Sequence, residues 1–231
     1  MRRIGIIGGM GPEATVLLMS RIIAATPARD DADHVPMIVD NNPQVPSRIK
    51  ALIEGGGEDP GPVIAGMAQK LEAVGAEALA MPCNTAHHYA DEIRNAVAIP
   101  FIDMVRLTVD AISSETRPGA KIGMLASPAL RITGVFTDAF AGTGRIPLHL
   151  ADDSPLLELI RHIKIHGADD NARAQMTVAS RALICEGADM LLIACSELSL
   201  VSGAVDPAAH SIDTIDLLAG ACIAFSSGQE T

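Results

Sequence analysis

The sequence predicts an α/β protein made of two pseudo-symmetric halves, each a mainly parallel four-stranded sheet flanked by helices. Three observations carry that expectation. Short β-branched or Leu-rich runs that end in Gly, Pro or Asn alternate with longer stretches of helical period, the pattern of βαβ units and parallel sheets. The chain is also written twice. Gly75-Ala76-Glu77-Ala78-Leu79-Ala80-Met81-Pro82-Cys83 aligns without a gap to Gly187-Ala188-Asp189-Met190-Leu191-Leu192-Ile193-Ala194-Cys195, about half the chain away. Ile4 to Gly8 answers Ile122 to Ala126, Val35 to Val39 answers Ile146 to Leu150, and Ile102-Asp103 answers Ile212-Asp213, in the same order. Finally, 231 residues leave room for two domains of about 110 residues, each large enough for its own core.

Taken in order, strands are expected near 3–8, 35–40, 77–82 and 99–102, and again near 121–126, 146–150, 189–194 and 211–213. Helices are expected over 13–25, 47–54, 61–74, 86–96, 103–115, 130–141, 154–165, 169–186 and 214–227. The first half then spans 1–105 and the second 106–210, with the C-terminal segment 211–231 packing back on the first. Gly55 to Pro62 reads as a surface loop before a helix.

Composition bounds the function. Ala, Val, Ile, Leu and Met supply nearly all of the 48% hydrophobic content, and no apolar run reaches membrane-spanning length. The apolar stretch after Arg2-Arg3 stops at Gly8-Gly9, too soon for a secretory signal, so a cytoplasmic protein without a membrane partner is expected. A net charge of −11 with no basic cluster argues against nucleic acid, and an anionic ligand would need local cations. The four cysteines read as free thiols, with no metal site. Cys185 and Cys222, in Ala/Leu/Ile-rich helical contexts, read as buried structural residues.

In open parallel sheets ligands lie beyond the carboxyl ends of the strands. The stretches to examine are therefore Gly8 to Gly11, Asp40 to Pro43, Cys83 to Thr85, Ser127, Asp152 to Pro155 and Cys195 to Glu197. Cys83 and Cys195 each follow a hydrophobic strand and precede helix-starting residues, where unsatisfied N–H groups favour thiolate. Two copies of one fold facing each other would set one thiol on each side of a shared cleft, the layout for moving a proton from one face of a carbon to the other. The competing reading makes Cys83 a nucleophile with His87 or His88 as base, but it leaves Cys195 unexplained, and His87 reads better as shaping the pocket or satisfying a backbone group. Gly8-Gly9-Met10-Gly11-Pro12 lacks the following Lys-Ser/Thr of a phosphate loop, and its glycines read as letting the backbone approach a small ligand. No nicotinamide, flavin or nucleotide signature is present, which favours chemistry without a cofactor.

Ile4 to Thr15, Met81-Pro82-Cys83-Asn84-Thr85-Ala86-His87 and Ala194-Cys195-Ser196-Glu197-Leu198 together resemble the aspartate racemase branch of the aspartate/glutamate racemase superfamily over nearly the whole chain. The resemblance implies pyridoxal-independent racemisation of an acidic amino acid, aspartate first, by two cysteines. It also implies two pseudo-symmetric α/β domains with the site between them, and a homodimer. Carried over by position, it makes Cys83 and Cys195 the catalytic bases, and Arg48 and Lys164 the cations for the substrate's carboxylates. It makes Met10, Asn84, Thr85 and Ser196 lining residues and Glu197 the acid after the second cysteine. The chain departs from the family pattern at Ser47, at Ser127-Pro128-Ala129-Leu130 and at Ser199. The alternatives are another two-cysteine activity, such as a glutamate or broad-specificity amino-acid racemase, a hydantoin racemase or a maleate isomerase, or a non-catalytic dicarboxylate-binding protein.

Overall fold

The computed structural model describes residues 1–229 apart from Ile53 and Gly55, so part of the expected 47–54 helix and of the Gly55 to Pro62 loop lies outside the described residues, as does the end of the 211–231 segment. Two compact units divide the chain: Met1–Met104 with Ile215–Thr231, and Val105–Thr214.

In the first unit, β1 (Ile4–Gly8) leads through α1 (Pro12–Ala25) to β2 (Met37–Asn41). Helices α2 (Arg48–Leu52) and α3 (Gly61–Ala73) then lead to β3 (Ala78–Ala80). A 3-10 turn (Thr85–Tyr89), α4 (Ala90–Ala96) and the start of α5 (Met104–Glu115) follow. All pairing is parallel, in the order β2-β1-β3, with Ile4 opposite both Met37 and Ala78. Strand β1 is buried on both faces because alternate side chains point to opposite sides. Ile4 and Ile6 pack with Leu18, Ile22, Ile215 and Leu218, whereas Ile7 packs with Ile64, Met67, Leu71 and Met81.

The expected fourth strand at 99–102 is reduced to one bridge, Leu79 to Phe101, so this sheet has three strands rather than four. Leu79 N–H donates to Pro100 O and Ile102 N–H to Leu79 O, both at 2.8 Å. The ladder goes no further, because Pro100 has no N–H to give and α5 begins at Met104.

The second unit repeats the plan. Its strands are β4 (Lys121–Ala126), β5 (Ile146–Leu148), β6 (Met190–Ala194) and β7 (Ser211–Asp213). They form a parallel sheet in the order β5-β4-β6-β7. Helices α6 (Pro128–Thr133) and α7 (Val135–Phe140) replace the single helix expected over 130–141. Gly134, with φ of 71°, ends one helix and opens the next. Helices α8 (Ser154–His166) and α9 (Asp170–Cys185) cover the sheet through Leu159, Ile163, Met176 and Leu183, and the four-residue α10 (Ser196–Ser199) follows β6. The expected 211–231 segment is split: β7 belongs to the second sheet, and only α11 (Thr214–Ser227), from Ile215 onward, joins the first unit.

The duplication is visible in packing detail. A Cβ on Gly5 would meet Ala76 and Leu79 at 2.8 Å and Leu71 at 3.2 Å. On Gly123 it would meet Leu191 at 2.6 Å, Ala188 at 2.9 Å and Leu183 at 3.2 Å, the matching residues of the second copy. In both units the central strand needs glycine because a helix and the next strand close on its backbone.

Candidate active site

In each sheet the chain leaves the central strand first to one side and then to the other, so the crevice beyond β1 and β3, and that beyond β4 and β6, are the switch points where ligands bind in such folds. The first collects Gly8 to Gly11 and Cys83. The second collects Ser127 and Cys195.

On the first side Cys83 is only 7% exposed and shares a cluster with Met10, Met67, Met81 and Tyr89. Asn84 is buried beside it, and Thr85 is half-buried at the start of the 3-10 turn. The two ring nitrogens of His87 are both used: Nδ1 lies 2.9 Å from Cys83 O, and Nε2 accepts Met104 N–H at 3.2 Å. Those partners place the proton on Nδ1, and burial lowers the imidazole pKa, so the ring is neutral and its one lone pair, on Nε2, is already engaged. His88 is exposed and stacks edge-on against Tyr89. The histidine-base reading therefore has no support in this geometry.

Gly9, directly after β1, is needed by the chain itself. Gly9 has φ of 92°, and a Cβ there would lie 2.3 Å from the backbone of Asn42, while its N–H donates to Thr15 Oγ1 at 2.9 Å. Close approach of the chain just after β2 explains why Gly9 is glycine. Arg48, half-buried at the start of α2, donates from Nη1 to Pro46 O at 3.0 Å and Val45 O at 3.4 Å. Among the described residues no carboxylate pairs with it.

On the second side Cys195, also 7% exposed, directly follows β6. Its Sγ–H donates to Glu197 Oε2 at 3.2 Å, Ser196 Oγ–H donates to the same oxygen at 3.4 Å, and Lys164 Nζ pairs with Glu197 Oε1 at 3.2 Å. The Lys164 side chain is 43% exposed and that of Glu197 11%, so the series leads from solvent to a buried thiol. Burial first, and the Glu197 carboxylate second, push the Cys195 pKa well above its ordinary value. This reverses the expectation that a helix start would favour thiolate here. Helix α10 has only four residues, and the N–H groups of Glu197 and Leu198 pull downward less than the loss of water and the nearby negative charge push upward. Cys195 is thus a thiol with an acceptor for its proton at hand. Ser127, one of the departures, accepts Ala129 N–H at 3.3 Å and caps α6.

Several features fell outside the sequence reading. Cys185 is exposed, because the end of α9 turns it away from the core, whereas Cys222 is fully buried as expected. His162 and His166 on α8 have an H-x3-H spacing that the sequence reading overlooked, but both carboxylate oxygens of Asp169 lie 2.9 Å from His162 Nε2. Among the described residues no group of three or more His, Cys, Asp or Glu is placed to hold a metal ion, and no helix is long and apolar enough to cross a membrane. Ser199 and Asp213, joined Oγ to Oδ1 at 2.7 Å, were likewise not picked out as part of the site. The signal available was the repeat itself, since Ile212-Asp213 answers Ile102-Asp103.

A profile of the Asp/Glu/Hydantoin racemase family matches residues 7–222. The aspartate racemase of Picrophilus torridus superposes with a TM-score of 0.88 at 27% identity, covering 98% of this chain and 95% of that one. The broad specificity amino-acid racemase RacX of Bacillus subtilis (strain 168) is 27% identical over 238 residues, 97% of this chain and 96% of its own. An aspartate racemase homologue from Pyrococcus horikoshii OT3, at 21% identity, shares the fold with a TM-score of 0.75 and coverage of 98% and 100%. The chain belongs to the Asp/Glu/Hydantoin racemase family, as the resemblance in its sequence implied. It is an amino-acid racemase, and so an isomerase.

Proposed function

We propose that this racemase inverts the α-carbon of an acidic amino acid, aspartate first, with Cys83 and Cys195 as the two proton-transfer groups and no cofactor. The observation that carries the reading is that each unit of the duplicated fold has a buried cysteine at its switch point, one of them hydrogen-bonded to a carboxylate. The reading requires the two sulfurs to address opposite faces of one α-carbon.

In one direction Cys83 as thiolate takes the α-proton, and the Cys195 thiol gives its proton to the carbanion from the other side. The product is the enantiomer, with Cys83 as thiol and Cys195 as thiolate. In the other direction the Cys195 thiolate takes the α-proton and the Cys83 thiol gives its own to the carbanion. When substrate meets Cys195 still as a thiol, that proton passes to Glu197 at 3.2 Å and Cys83 takes one from solvent. Arg48 takes one substrate carboxylate and Lys164 assists at the other, while Met10, Asn84, Thr85 and Ser196 line the ligand. Hydrogen bonds to the α-carboxylate in a water-poor site stabilise the developing charge.

A broader amino-acid range is the second reading. It is favoured by the engagement of Lys164 with Glu197, which leaves less of its charge for a side-chain carboxylate, and by the likeness to a broad specificity racemase at the same 27% identity as the aspartate enzyme.

The test is α-hydrogen exchange in deuterated buffer across a panel of amino acids, for the wild type and for Cys83→Ser and Cys195→Ser. Fastest exchange with aspartate, and loss of racemisation in both variants with the fold intact, is expected. Substantial turnover in either variant removes the two-cysteine mechanism, and equal exchange across neutral and acidic amino acids selects the broader reading.

A further inference from the structure

Each cysteine turn is tied to the point where the chain leaves its unit, and in both units the residue four places after the cysteine makes the tie. In the first unit it is His87, which holds Cys83 O through Nδ1 at 2.9 Å and Met104 N–H through Nε2 at 3.2 Å. Met104 is the last residue before the chain passes into the second unit. In the second unit it is Ser199. Its N–H donates to Cys195 O at 3.0 Å, and its hydroxyl donates to Asp213 Oδ1 at 2.7 Å, with Oγ 3.4 Å from Cys195 O. Asp213 immediately precedes Thr214, the last residue before the chain returns to the first unit.

The two links use unrelated side chains for one geometrical task. His87 and Ser199 are both buried, at corresponding places in the repeat, and the segments they reach, Asp103-Met104 and Asp213-Thr214, correspond as well. A hydroxyl has a single proton, and the short bond to the Asp213 carboxylate takes it. A neutral imidazole has one donor and one acceptor, and both are engaged. Neither group is left over for proton transfer. What each does is fix the carbonyl of a cysteine relative to a segment remote in sequence. Burying polar groups without such partners would be unfavourable, so the links hold only while both ends stay in place.

Resting on the two-cysteine reading, we infer that His87 and Ser199 are positioning residues: each fixes its own cysteine to the crossover segment of its own unit and so sets where that sulfur stands. Stabilising the fold in general would make either residue matter equally to both cysteines. Positioning makes each matter to one.

The experiment uses the full chain with Ser199→Ala, Ser199→Thr, His87→Asn and His87→Gln. Ser199→Ala is a near-isosteric change that leaves the backbone bond to Cys195 in place, and each His87 variant retains a polar group that can meet one of the two original partners. Racemisation is measured as kcat and KM, and the alkylation rate of each cysteine by iodoacetamide is followed by mass spectrometry. For Ser199→Ala, kcat falls about 10- to 100-fold with KM little changed, the cost of displacing a reacting group by on the order of 1 Å, and Ser199→Thr restores most of it. The alkylation rate of Cys195 shifts on the order of 3-fold or more in Ser199→Ala with that of Cys83 unchanged, and the His87 variants show the reverse. Unchanged kcat and alkylation, or both cysteines shifting together with a fall in melting temperature, overturns the inference. If Cys195→Ser still racemises, the two-cysteine reading fails, and the alkylation pattern alone then decides: sorting by unit supports the positioning role, and its absence overturns it.

Discussion

Replacing Glu197 by Gln keeps the shape of the side chain beside Cys195 and removes its charge. In the wild type that carboxylate accepts from the Cys195 thiol at 3.2 Å and Ser196 at 3.4 Å, and it pairs with Lys164 at 3.2 Å. An amide oxygen can still accept from the thiol, so a charged hydrogen bond worth about 1.5–3 kcal/mol becomes a neutral one worth about 0.5–1.5 kcal/mol. The ion pair adds little, since a pair whose lysine is 43% exposed is screened and contributes at most about 1 kcal/mol. The fold should therefore survive, with a loss of about 1–2 kcal/mol by these bond strengths.

The two functional readouts move in opposite directions. Removing the carboxylate removes the second largest cause of the raised Cys195 pKa, so its thiol becomes more acidic, although burial, the largest cause, still holds it above the ordinary value. Near pH 8, just below the ordinary thiol pKa of about 8.5, Cys195 should be alkylated faster in Glu197→Gln than in the wild type. Racemisation should fall about 10²- to 10⁴-fold, the usual worth of a positioned proton acceptor. The assay pairs enantiomer conversion with mass spectrometry of each thiol, and Cys185, exposed at the end of α9, is the internal control whose rate stays constant. Activity within about 3-fold of wild type, far short of the expected acid–base loss, or slower alkylation of Cys195, would refute the assignment of Glu197 as the thiol's proton acceptor.

Arg48→Met should weaken binding of a dicarboxylate such as succinate about 10- to 150-fold while leaving a monocarboxylate less affected, as the loss of one charge-assisted hydrogen bond requires; equal losses for both would show that Arg48 does not read a second carboxylate. Cys222, which burial alone lifts from 9.0 to about 12, makes the protein sensitive to alkali. The folded state holds this proton more tightly than the unfolded state, so the associated stability is fully present below pH 9 and is lost as pH rises toward 12, about 4 kcal/mol over the window at 1.36 kcal/mol per unit. Denaturant unfolding of Cys222→Ala should show a shallower decline across that window than the wild type, and parallel declines would contradict it.

Much of this protein is fixed by features local in the chain. The repeat, the alternation of strand and helix, and the paired cysteines at strand ends can be read because each depends on the order of neighbouring residues. The family motifs are contiguous for the same reason. What the tertiary structure decided depends on residues that meet only after folding. The need for glycine at Gly5 and Gly123 is a tertiary matter, since the residues that crowd them are remote in sequence. The charge state of Cys195 was misjudged because a helix start is a local cue, whereas burial and the Glu197 carboxylate outweigh it only once the chain is packed. Lys164 lies far from Glu197 in sequence and pairs with it because α8 and α10 come together. The missing fourth strand, the exposure of Cys185 and the reach of Ser199 to Asp213 were likewise decided by which groups folding brings into contact. Sequence spacing ranks residues along one dimension, and hydrogen bonds, desolvation and charge act through distances in three.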